Sequence, residues 1–460
     1  MELDGRNTVV VGLARSGVAA AAFLAARGAR VIASDLKPRE ALTPEARALE
    51  AQGVRLETGE HRVETLLAAS LVVVSPGVPW DLPELVRVRG EGIDVIAELE
   101  LACRYLTGEV VAITGTKGKS TTTAAVGAML RAGGRDVRVC GNIGQPAIGC
   151  VEDSDAQTVF VIEASSFQLE GVRSLHPRVA VFLNLSDDHL DRHLSFDVYT
   201  TAKARIFLNQ TAEDWAIINA GDPRLLALAR AGRAQLLGFG DDARHAEDAA
   251  FFHEGLARLR HLGQEETLFA RTAVSLPGAH LADDLLAAAA AARLMGASPG
   301  AIQRAVESFE GAEHVLEFVA EIDGVRYFND SKATNVEAAC KSLEAFDRPV
   351  IAIMGGRFKG GDLARLAQAA RGRAKLVLAI GEAQAHFVDA LSPAVTVVPC
   401  ASLAAAVAHG RKAATAGDVV LLAPACASFD MFEDYAQRGH AFKQEVRRFA
   451  ERRDLGGEAR

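Results

Sequence analysis

Short runs of β-branched residues alternate with alanine- and leucine-rich stretches along most of this chain. The first block, NTVVVGLARSGVAAAAFLAARGARVIASD, predicts a strand, a glycine turn, a helix and a second strand that ends at Asp35. Such alternation is typical of parallel sheets whose strands are joined by helical crossovers. Because one hydrophobic core stops growing at about 250–300 residues, a chain of 460 residues is expected to form more than one such sheet.

Two further blocks repeat the pattern. The second begins near VVAITGTKGKS and contains TVFVIEASS and VAVFLNLSDDH, and the third contains PVIAIMGGRFKGGDL, AKLVLAIGE and DVVLLAPACASFD. Each apolar run breaks into a loop, and ligands of doubly wound sheets gather at the carboxyl ends of the strands. We therefore predict an α/β protein built from doubly wound, mostly parallel sheets.

The composition excludes several functional classes. A formal charge of −9, without clusters of Lys and Arg, argues against a nucleic-acid surface. The six cysteines are dispersed and none forms C-x-x-C, which indicates buried thiols rather than a disulfide framework or a zinc site. No apolar stretch approaches membrane-spanning length, and the start MELDGRN lacks the pattern of a signal peptide. These features favour a cytoplasmic protein that does not insert into membranes.

The segment VVAITGTKGKSTTTAAVGAMLRAGG, residues 110–134, predicts a strand, a glycine-rich loop and a helix. The start of a helix favours anions because of its open N–H groups and positive dipole end. Lys119 is placed to reach a terminal phosphate and the Ser120 hydroxyl to bind Mg²⁺, while Gly115 and Gly118 leave room for the phosphates. A capped glycine turn is the alternative, but it does not account for Gly-Lys-Ser at this place. A nucleoside triphosphate is the predicted ligand, although Ile113 stands where the standard motif has its first glycine.

The first block offers a rival interpretation. Gly12 and Gly17, with Asp35 at the end of the next strand, approximate the dinucleotide-binding fingerprint of an NAD-dependent oxidoreductase. Ala14, however, replaces the glycine that lets the backbone approach the pyrophosphate. Since an oxidoreductase would also leave the phosphate loop unused, we interpret this block as a binder of another nucleotide or a sugar nucleotide.

Two side chains beyond the loop suit metal chemistry. Glu163 ends the run TVFVIE and His189 follows VAVFLN, so parallel strands would bring both to the phosphate loop. A carboxylate is an oxygen ligand suited to Mg²⁺, whereas a histidine is less usual and by itself would more often be structural. The neighbours Asp187, Asp188 and Asp191 are interpreted as solvated charges or helix caps.

Five separated motifs resemble those of the Mur ligases, ATP-dependent amide-forming enzymes of peptidoglycan precursor synthesis. They are GTKGKSTTT, EASSFQLE, NLSDDHLDRH, NDSKATN and LLAPACASFDMFEDYAQRG. The resemblance runs nearly end to end and is closest to the branch that adds D-glutamate to UDP-N-acetylmuramoyl-L-alanine. It also accounts for the phosphate loop, because this family uses the short form G-[ST]-x-G-K-[ST].

The resemblance implies a monomer with three domains that uses ATP and two Mg²⁺ ions. A Rossmann-like domain over residues 1–97 would bind the uridine nucleotide, a phosphate-loop ATPase domain would span 98–311, and a Rossmann-like domain over 312–460 would bind the amino acid. The terminal carboxylate of the UDP-linked substrate would become an acyl phosphate, which the amine of D-glutamate attacks. Because a carboxylate must approach an anionic triphosphate, cations have to neutralise both.

The family motifs also imply five sets of site residues in this chain. Catalytic roles fall to Lys119, Glu163, His189 and Lys203, and metal binding to Ser120, Glu163, His189 and carbamylated Lys203. The ATP contacts are Gly115, Thr116, Lys117, Gly118, Lys119, Ser120, Thr121, Asp330 and Lys332. The contacts to the UDP substrate are Arg15, Ser16, Asp35, Lys37, Gly77, Asn142 and His189. The D-glutamate contacts are Thr334, Lys359, Ser428, Phe429 and Tyr435.

Several of these residues have simpler interpretations from sequence alone. Lys203 would be a lysine on a helix surface, Asp330 and Lys332 would form a surface ion pair, and Lys359 would be a solvated loop lysine. These alternatives stay open until burial and contacts are known.

The chain departs from the family pattern at two places. Leu281 and Asp284 replace asparagines, one of which usually contacts adenine, and Val315 replaces an arginine near the phosphates. Folylpolyglutamate synthase shares the ATPase core but lacks an N-terminal nucleotide-binding domain. A non-catalytic phosphate-loop protein would bind nucleotide without turnover.

Overall fold

The computed structural model describes residues 2–454, apart from 153, 187–189, 194 and 275. The described chain forms two compact units. The first comprises Met1–Ala273 and Asp283–Glu307, and the second comprises Val274–Ala282 and Ser308–Arg460. Two β-sheets belong to the first unit and a third sheet belongs to the second.

The first sheet is parallel throughout, in the order β3-β2-β1-β4-β5. Its strands are β1 Asn7–Val11, β2 Arg30–Asp35, β3 Arg55–Thr58, β4 Leu71–Val74 and β5 Asp94–Ala97. The helices of this region are α1 Arg15–Ala26, α2 Pro44–Ala48, α3 Val63–Leu67, α4 Pro83–Gly90 and α5 Glu98–Cys103. The valine-rich central strands β1 and β4 are buried, as expected for a sheet covered on both faces. The strand order reverses between β1 and β4, which places a ligand crevice at their carboxyl ends.

The second sheet has the order β14-β13-β12-β11-β10-β9-β6-β8-β7, and its antiparallel pairs are β12-β13 and β13-β14. Its strands are β6 Glu109–Thr114, β7 Val137–Gly141, β8 Val159–Glu163, β9 Val179–Phe182, β10 Trp215–Asn219, β11 Gln235–Phe239, β12 Ala249–His253, β13 Leu256–His261 and β14 Gln264–Ala270. The helices are α6 Lys119–Ala132, α7 Ser166–Glu170, α8 Leu190–His193, α9 Phe196–Ala204, α10 Pro223–Arg230, α11 Ala279–Leu294 and α12 Pro299–Glu307.

The third sheet has the order β15-β16-β20-β17-β18-β19 and is parallel apart from β15. Its strands are β15 Glu317–Ile322, β16 Val325–Asn329, β17 Val350–Gly355, β18 Ala374–Ile380, β19 Val397–Pro399 and β20 Val419–Leu422. The helices are α13 Val336–Glu344, α14 Leu363–Ala370, α15 Gln384–Leu391, α16 Leu403–Ala413 and α17 Tyr435–Asp454.

The predicted α/β class with mostly parallel, doubly wound sheets is confirmed. Asp35 and Glu163 end β2 and β8, as their patterns predicted. The six cysteines are free thiols, and all except the half-buried Cys103 are buried. None of the helices in the described part of the chain combines the length and the hydropathy that crossing a bilayer requires.

Candidate active site

The phosphate loop, residues 115–118, connects β6 to α6. Gly118 has φ 81°, a left-handed conformation that favours glycine, and it immediately precedes the first helical residue, Lys119. A side chain at Gly118 would also collide with the carboxylate of Asp284. The loop therefore requires glycine here for both conformation and space.

Asn184, two residues beyond β9, braces the phosphate loop. Its Oδ1 accepts the backbone N–H groups of Thr116 at 3.1 Å and Lys117 at 2.8 Å, and its Nδ2 donates to the Lys117 carbonyl oxygen at 3.0 Å. The Thr116 hydroxyl lies 3.1 Å from the Tyr199 hydroxyl. These bonds fix the backbone of the loop from the end of the neighbouring strand.

Two lysine ammonium groups converge on one loop carbonyl. Lys119 Nζ donates to the carbonyl oxygens of Gly115 and Thr116 at 2.9 Å each, and Lys203 Nζ donates to that of Gly115 at 2.7 Å. Lys203 is 1% exposed and its Nζ lies 4.8 Å from the ring centroid of Tyr199. The alternative of a surface lysine at 203 is therefore wrong, and the Nζ atoms of two lysines lie beside the phosphate loop.

Glu163 ends β8, the strand beside β6 in the second sheet. Its Oε1 accepts the Asn142 side-chain amide at 2.7 Å. Its Oε2 is buried and, within the described residues, has no hydrogen-bond partner. A buried carboxylate oxygen without a partner is costly, and such an oxygen is a ligand that Mg²⁺ prefers. Glu163 therefore fits the metal role expected from the sequence.

The other residues predicted to bind metal or phosphate lie at the start of α6 and in the segment after β9. Ser120 and Thr121 are half-buried in the first turn of α6. His189 lies outside the described residues, so its roles stay predictions. His193, four positions later, is 2% exposed, and its Nε2 lies 2.9 Å from the Ser166 hydroxyl at the start of α7. This contact ties the segment after β9 to the helix after β8.

Asp284, one of the departures from the family pattern, lies against the phosphate loop. Its carboxylate approaches Gly118 so closely that no side chain fits there. Burial, assisted by repulsion from Asp283, raises the pKa of Asp284 to about 7. The charge beside the loop therefore changes near neutral pH.

A cleft of about 180 Å³ lies among the loops of the first and second sheets. Four residues predicted to contact the UDP substrate line it: Arg15, Ser16, Gly77 and Asn142. The Arg15 Nη1 donates to the Gly144 carbonyl oxygen at 3.3 Å. Because Asn142 also donates to Glu163, the cleft adjoins the carboxylate that fits the metal role.

Asp35 and Lys37, also predicted to contact the UDP substrate, lie at the end of β2. The Asp35 carboxylate accepts the backbone N–H groups of Leu13 at 2.7 Å and Lys37 at 2.9 Å, which orders the turn after β1. The Lys37 side chain is exposed. The described lining of the cleft includes neither residue.

Asp330 and Lys332 lie on the loop after β16. Asp330 is 7% exposed, which excludes an exposed ion pair. Its carboxylate accepts the Ser342 hydroxyl and, at 3.3 Å, the Leu316 N–H, and burial raises its pKa to about 6. The Lys332 N–H donates to the His314 carbonyl oxygen at 3.1 Å. The ATP contacts of both residues stay predictions.

The predicted D-glutamate contacts lie on three loops and one helix start of the third sheet. Thr334 follows β16, Lys359 follows β17, and Ser428 and Phe429 follow β20. Ser428 is 2% exposed, whereas Phe429 is 59% exposed and its ring centroid lies 5.9 Å from Lys359 Nζ. Tyr435 begins α17. Since β16, β20 and β17 are neighbours, their loops leave the same edge of the sheet.

Three residues that shape these sites were not identified from the sequence. Asn184 lies within the NLSDDHLDRH motif, where an amide directly after a buried strand is the available signal. Tyr199 precedes Lys203 by one helical turn, a spacing that places both on one face. Arg438 is fully buried and contacts several loops of the third sheet, and its place in the LLAPACASFDMFEDYAQRG motif is the available signal.

Segments from all three sheets match known protein families. Residues 6–97 match the description "Mur ligase MurD-like, N-terminal domain", residues 113–292 match "Mur ligase middle domain", and residues 316–426 match "Mur ligase, glutamate ligase domain".

Curated relatives match over nearly the full length. A UDP-N-acetylmuramoylalanine--D-glutamate ligase from Acidobacterium capsulatum is 47% identical over 448 residues, which is 97% of each chain. The ligase of the same name from Geotalea daltonii is 43% identical over 460 residues, 100% of each chain. The solved UDP-N-acetylmuramate-alanine ligase MurC from Thermotoga maritima shares the fold, with a TM-score of 0.57 at 19% identity over 97% of this chain and 99% of that chain. This chain belongs to the Mur ligase family.

Proposed function

We propose that the chain is an ATP-dependent ligase that joins D-glutamate to UDP-N-acetylmuramoyl-L-alanine through an acyl phosphate in peptidoglycan precursor synthesis. The observation that carries the proposal is the phosphate loop, where the Nζ atoms of Lys119 and Lys203 meet at the Gly115 carbonyl oxygen. The full-length relatives named as D-glutamate ligases support the choice of amino acid and of UDP-linked substrate.

In the first step, an oxygen of the substrate carboxylate attacks the γ-phosphorus of ATP. The bond from that phosphorus to the bridging oxygen breaks, so the products are an acyl phosphate and ADP. Lys119 would exchange its carbonyl partners for terminal phosphate oxygens, and the N–H groups at the start of α6 would bind others. Neutralising the charge between two anions is the main requirement of this step.

Ser120, Glu163, His189 and carbamylated Lys203 would hold two Mg²⁺ ions. When bound, Mg²⁺ would polarise the phosphate oxygens and offset their charge. Glu163 suits this role because its buried Oε2 lacks a hydrogen-bond partner in the described structure. Ser120 lies in the first turn of α6, next to Lys119.

A carbamate on Lys203 forms when the neutral amine adds to CO₂ and loses a proton. The burial of Lys203 supports this modification, because a charged ammonium is costly in such a place and a carbamate serves as an oxygen ligand. Lys203→Ala is expected to abolish most turnover while ATP binding, measured by calorimetry with a non-hydrolysable analogue, stays largely intact. A Lys203→Ala enzyme with unimpaired turnover would refute the assignment.

In the second step, the amine of D-glutamate attacks the acyl carbon. The bond from that carbon to the phosphate oxygen breaks, inorganic phosphate leaves with the electron pair, and the amine loses a proton. Lys359 would pair with the side-chain carboxylate of the amino acid, while the hydroxyls of Thr334 and Ser428 and the N–H of Phe429 donate to it. Tyr435 would cover the pocket.

The UDP substrate would occupy the cleft lined by Arg15, Ser16, Gly77 and Asn142. The family motifs add Asp35 and Lys37 to this set, and Asp330 and Lys332 to the contacts of the ATP ribose and phosphates. We propose domain boundaries that follow these roles: residues 1–97 for the uridine nucleotide, 98–311 for ATP and 312–460 for the amino acid. We further propose a cytoplasmic monomer.

Phosphate release from ATP, measured with a panel of UDP-linked muramic acids and amino acids, tests the proposal. We expect release only when UDP-N-acetylmuramoyl-L-alanine and D-glutamate are both present, with one phosphate for each amide formed. Activity with a folate and glutamate would indicate a folylpolyglutamate-type ligase instead. Nucleotide binding without stimulated release would indicate a non-catalytic protein, and NADH oxidation without ATP use would indicate an oxidoreductase.

A further inference from the structure

Arg438, in the first turn of α17, has a fully buried side chain. Its Nε donates to the Ser331 hydroxyl at 3.0 Å and its Nη2 to the Ser331 carbonyl oxygen at 2.9 Å. Nη1 and Nη2 both donate to the Cys426 carbonyl oxygen at 3.1 Å, and Nη1 lies 3.5 Å from that of Gly355. The guanidinium thus contacts three separate chain segments.

The partners of this guanidinium are neutral. In the described residues, no carboxylate lies within ion-pair distance of Arg438, and its hydrogen bonds go to carbonyl and hydroxyl oxygens. Burial lowers the pKa of Arg438 to about 10, so the group still carries its charge at neutral pH. The Asp430 carboxylate acts on Arg438 by charge without pairing with it, and a buried cation whose hydrogen bonds all go to neutral oxygens is costly, which argues that the contacts of Arg438 serve more than packing.

The three contacted segments begin the loops that carry the proposed D-glutamate site. Ser331 follows β16, Gly355 ends β17 and Cys426 follows β20, and these three strands are neighbours. Thr334 lies three positions after Ser331, and Ser428 lies two positions after Cys426. The planar guanidinium therefore sets the spacing of these loops at the point where each leaves the sheet.

Backbone hydrogen bonds also join these loops. Without Arg438 the loops would stay together, but their relative positions would be less restricted. The Arg357 N–H donates to the Ala427 carbonyl oxygen at 2.9 Å, and the Ala427 N–H donates back at 3.0 Å. The Gly355 N–H donates to the Pro424 carbonyl oxygen at 2.8 Å. Loss of the guanidinium should therefore shift the loops relative to one another rather than unfold the third sheet.

We propose that Arg438 is a positioning residue for the amino-acid site: it holds the loops after β16, β17 and β20 at the spacing that D-glutamate requires. This inference rests on the proposed function. It assigns Arg438 no contact with the substrate, because its side chain is enclosed by Ser331, Gly355 and Cys426.

Arg438→Lys and Arg438→Met test the proposal, with Ser331→Ala as a milder change that removes the hydroxyl bonded to Nε. Lysine keeps the positive charge but lacks the planar set of N–H donors of a guanidinium, and methionine lacks both. Lys443→Met is the matched control, because Lys443 is a buried cation on the same helix that pairs instead with Glu313 at 2.6 Å and Glu317 at 2.8 Å. Each variant is assayed for Tm, for KM of ATP and of D-glutamate, and for phosphate released per amide formed.

The Arg438 variants are expected to raise the KM for D-glutamate by at least roughly tenfold, since small displacements of positioning groups have effects of that size. They should also release more than one phosphate per amide, because the acyl phosphate hydrolyses while the amine is misplaced. Ser331→Ala should show the same effects to a smaller degree. Lys443→Met should lower Tm without changing the KM for D-glutamate or the phosphate released per amide.

The inference would be overturned if Arg438→Lys and Ser331→Ala lowered Tm alone. In that case the KM for D-glutamate would be unchanged and one phosphate would still be released per amide formed. A control variant Lys443→Met with an equal rise in the KM for D-glutamate would also overturn it. If the wild-type enzyme itself forms no amide with D-glutamate, the proposed function fails and the inference fails with it.

Discussion

Lys359 is the residue through which the chain is expected to select an amino acid with a second carboxylate. It is exposed on the loop after β17, near the ring of Phe429. A charge-assisted hydrogen bond contributes about 1.5–3 kcal/mol, so Lys359→Ala should raise the KM for D-glutamate at least roughly tenfold with little change for ATP. Arg357→Ala is the control, because Arg357 lies on the same loop but pairs with Glu382. Equal effects of the two variants, or a preference for L-glutamate, would contradict this pocket.

Asp284 is expected to make ATP binding depend on pH. Burial raises its pKa to about 7, so the carboxyl beside Gly118 is neutral at lower pH and repels phosphates once it is charged. Relative to Asp284→Asn, the wild-type KM for ATP should be similar at about pH 6 and at least roughly threefold higher at about pH 8. Steady-state kinetics of both proteins at each pH measure this ratio. A ratio that stays constant across this pH range would show that the carboxyl does not act on ATP.

At the scale of elements, Glu98 connects the start of α5 to the turn that follows β7. Its Oε1 accepts the Ile148 N–H at 2.9 Å, and within the described residues its buried Oε2 has no partner. Burial raises its pKa from 4.5 to about 7. Between those two values the folded state keeps a proton that the unfolded state releases, so the free energy of unfolding falls as pH rises through this window.

Glu98→Gln should flatten that pH dependence, because glutamine keeps an acceptor for Ile148 and does not titrate. Chemical denaturation of wild type and variant at several pH values between about 5 and 8 measures the effect. Glu64→Gln, a change at an exposed glutamate of α3, should leave the wild-type slope intact. If the free energy of unfolding changed with pH in the same way for Glu98→Gln and wild type, the role assigned to Glu98 would be contradicted.

An element or site residue could be predicted from the sequence when the residues that define it are close together in the chain. The strand ends and the phosphate loop were predictable because their apolar runs, glycines, Lys119 and Ser120 are adjacent in the chain. The burial of Lys203 was not, since it depends on a contact with Gly115, 88 positions away. Arg438 bonds to Ser331, 107 positions away, so its role emerges only from the packing of α17 on the third sheet.

At the scale of the whole molecule, the carboxyl ends of strands in each sheet carry part of the proposed chemistry. The first and second sheets line the cleft assigned to the UDP substrate, and the second also carries the phosphate loop. The third carries the loops assigned to D-glutamate. The same arrangement explains why the sequence motifs fall immediately after apolar runs, where parallel sheets place their ligands.

Transfer of oxygen from the substrate carboxylate to phosphate tests the central claim most directly. UDP-N-acetylmuramoyl-L-alanine labelled with ¹⁸O in its terminal carboxylate is incubated with ATP, Mg²⁺ and D-glutamate, and the inorganic phosphate is examined by mass spectrometry. An acyl phosphate passes one carboxylate oxygen to phosphate when the amine displaces it. We expect one ¹⁸O per phosphate, and amide formation with D-glutamate that accompanies unlabelled phosphate would contradict the account.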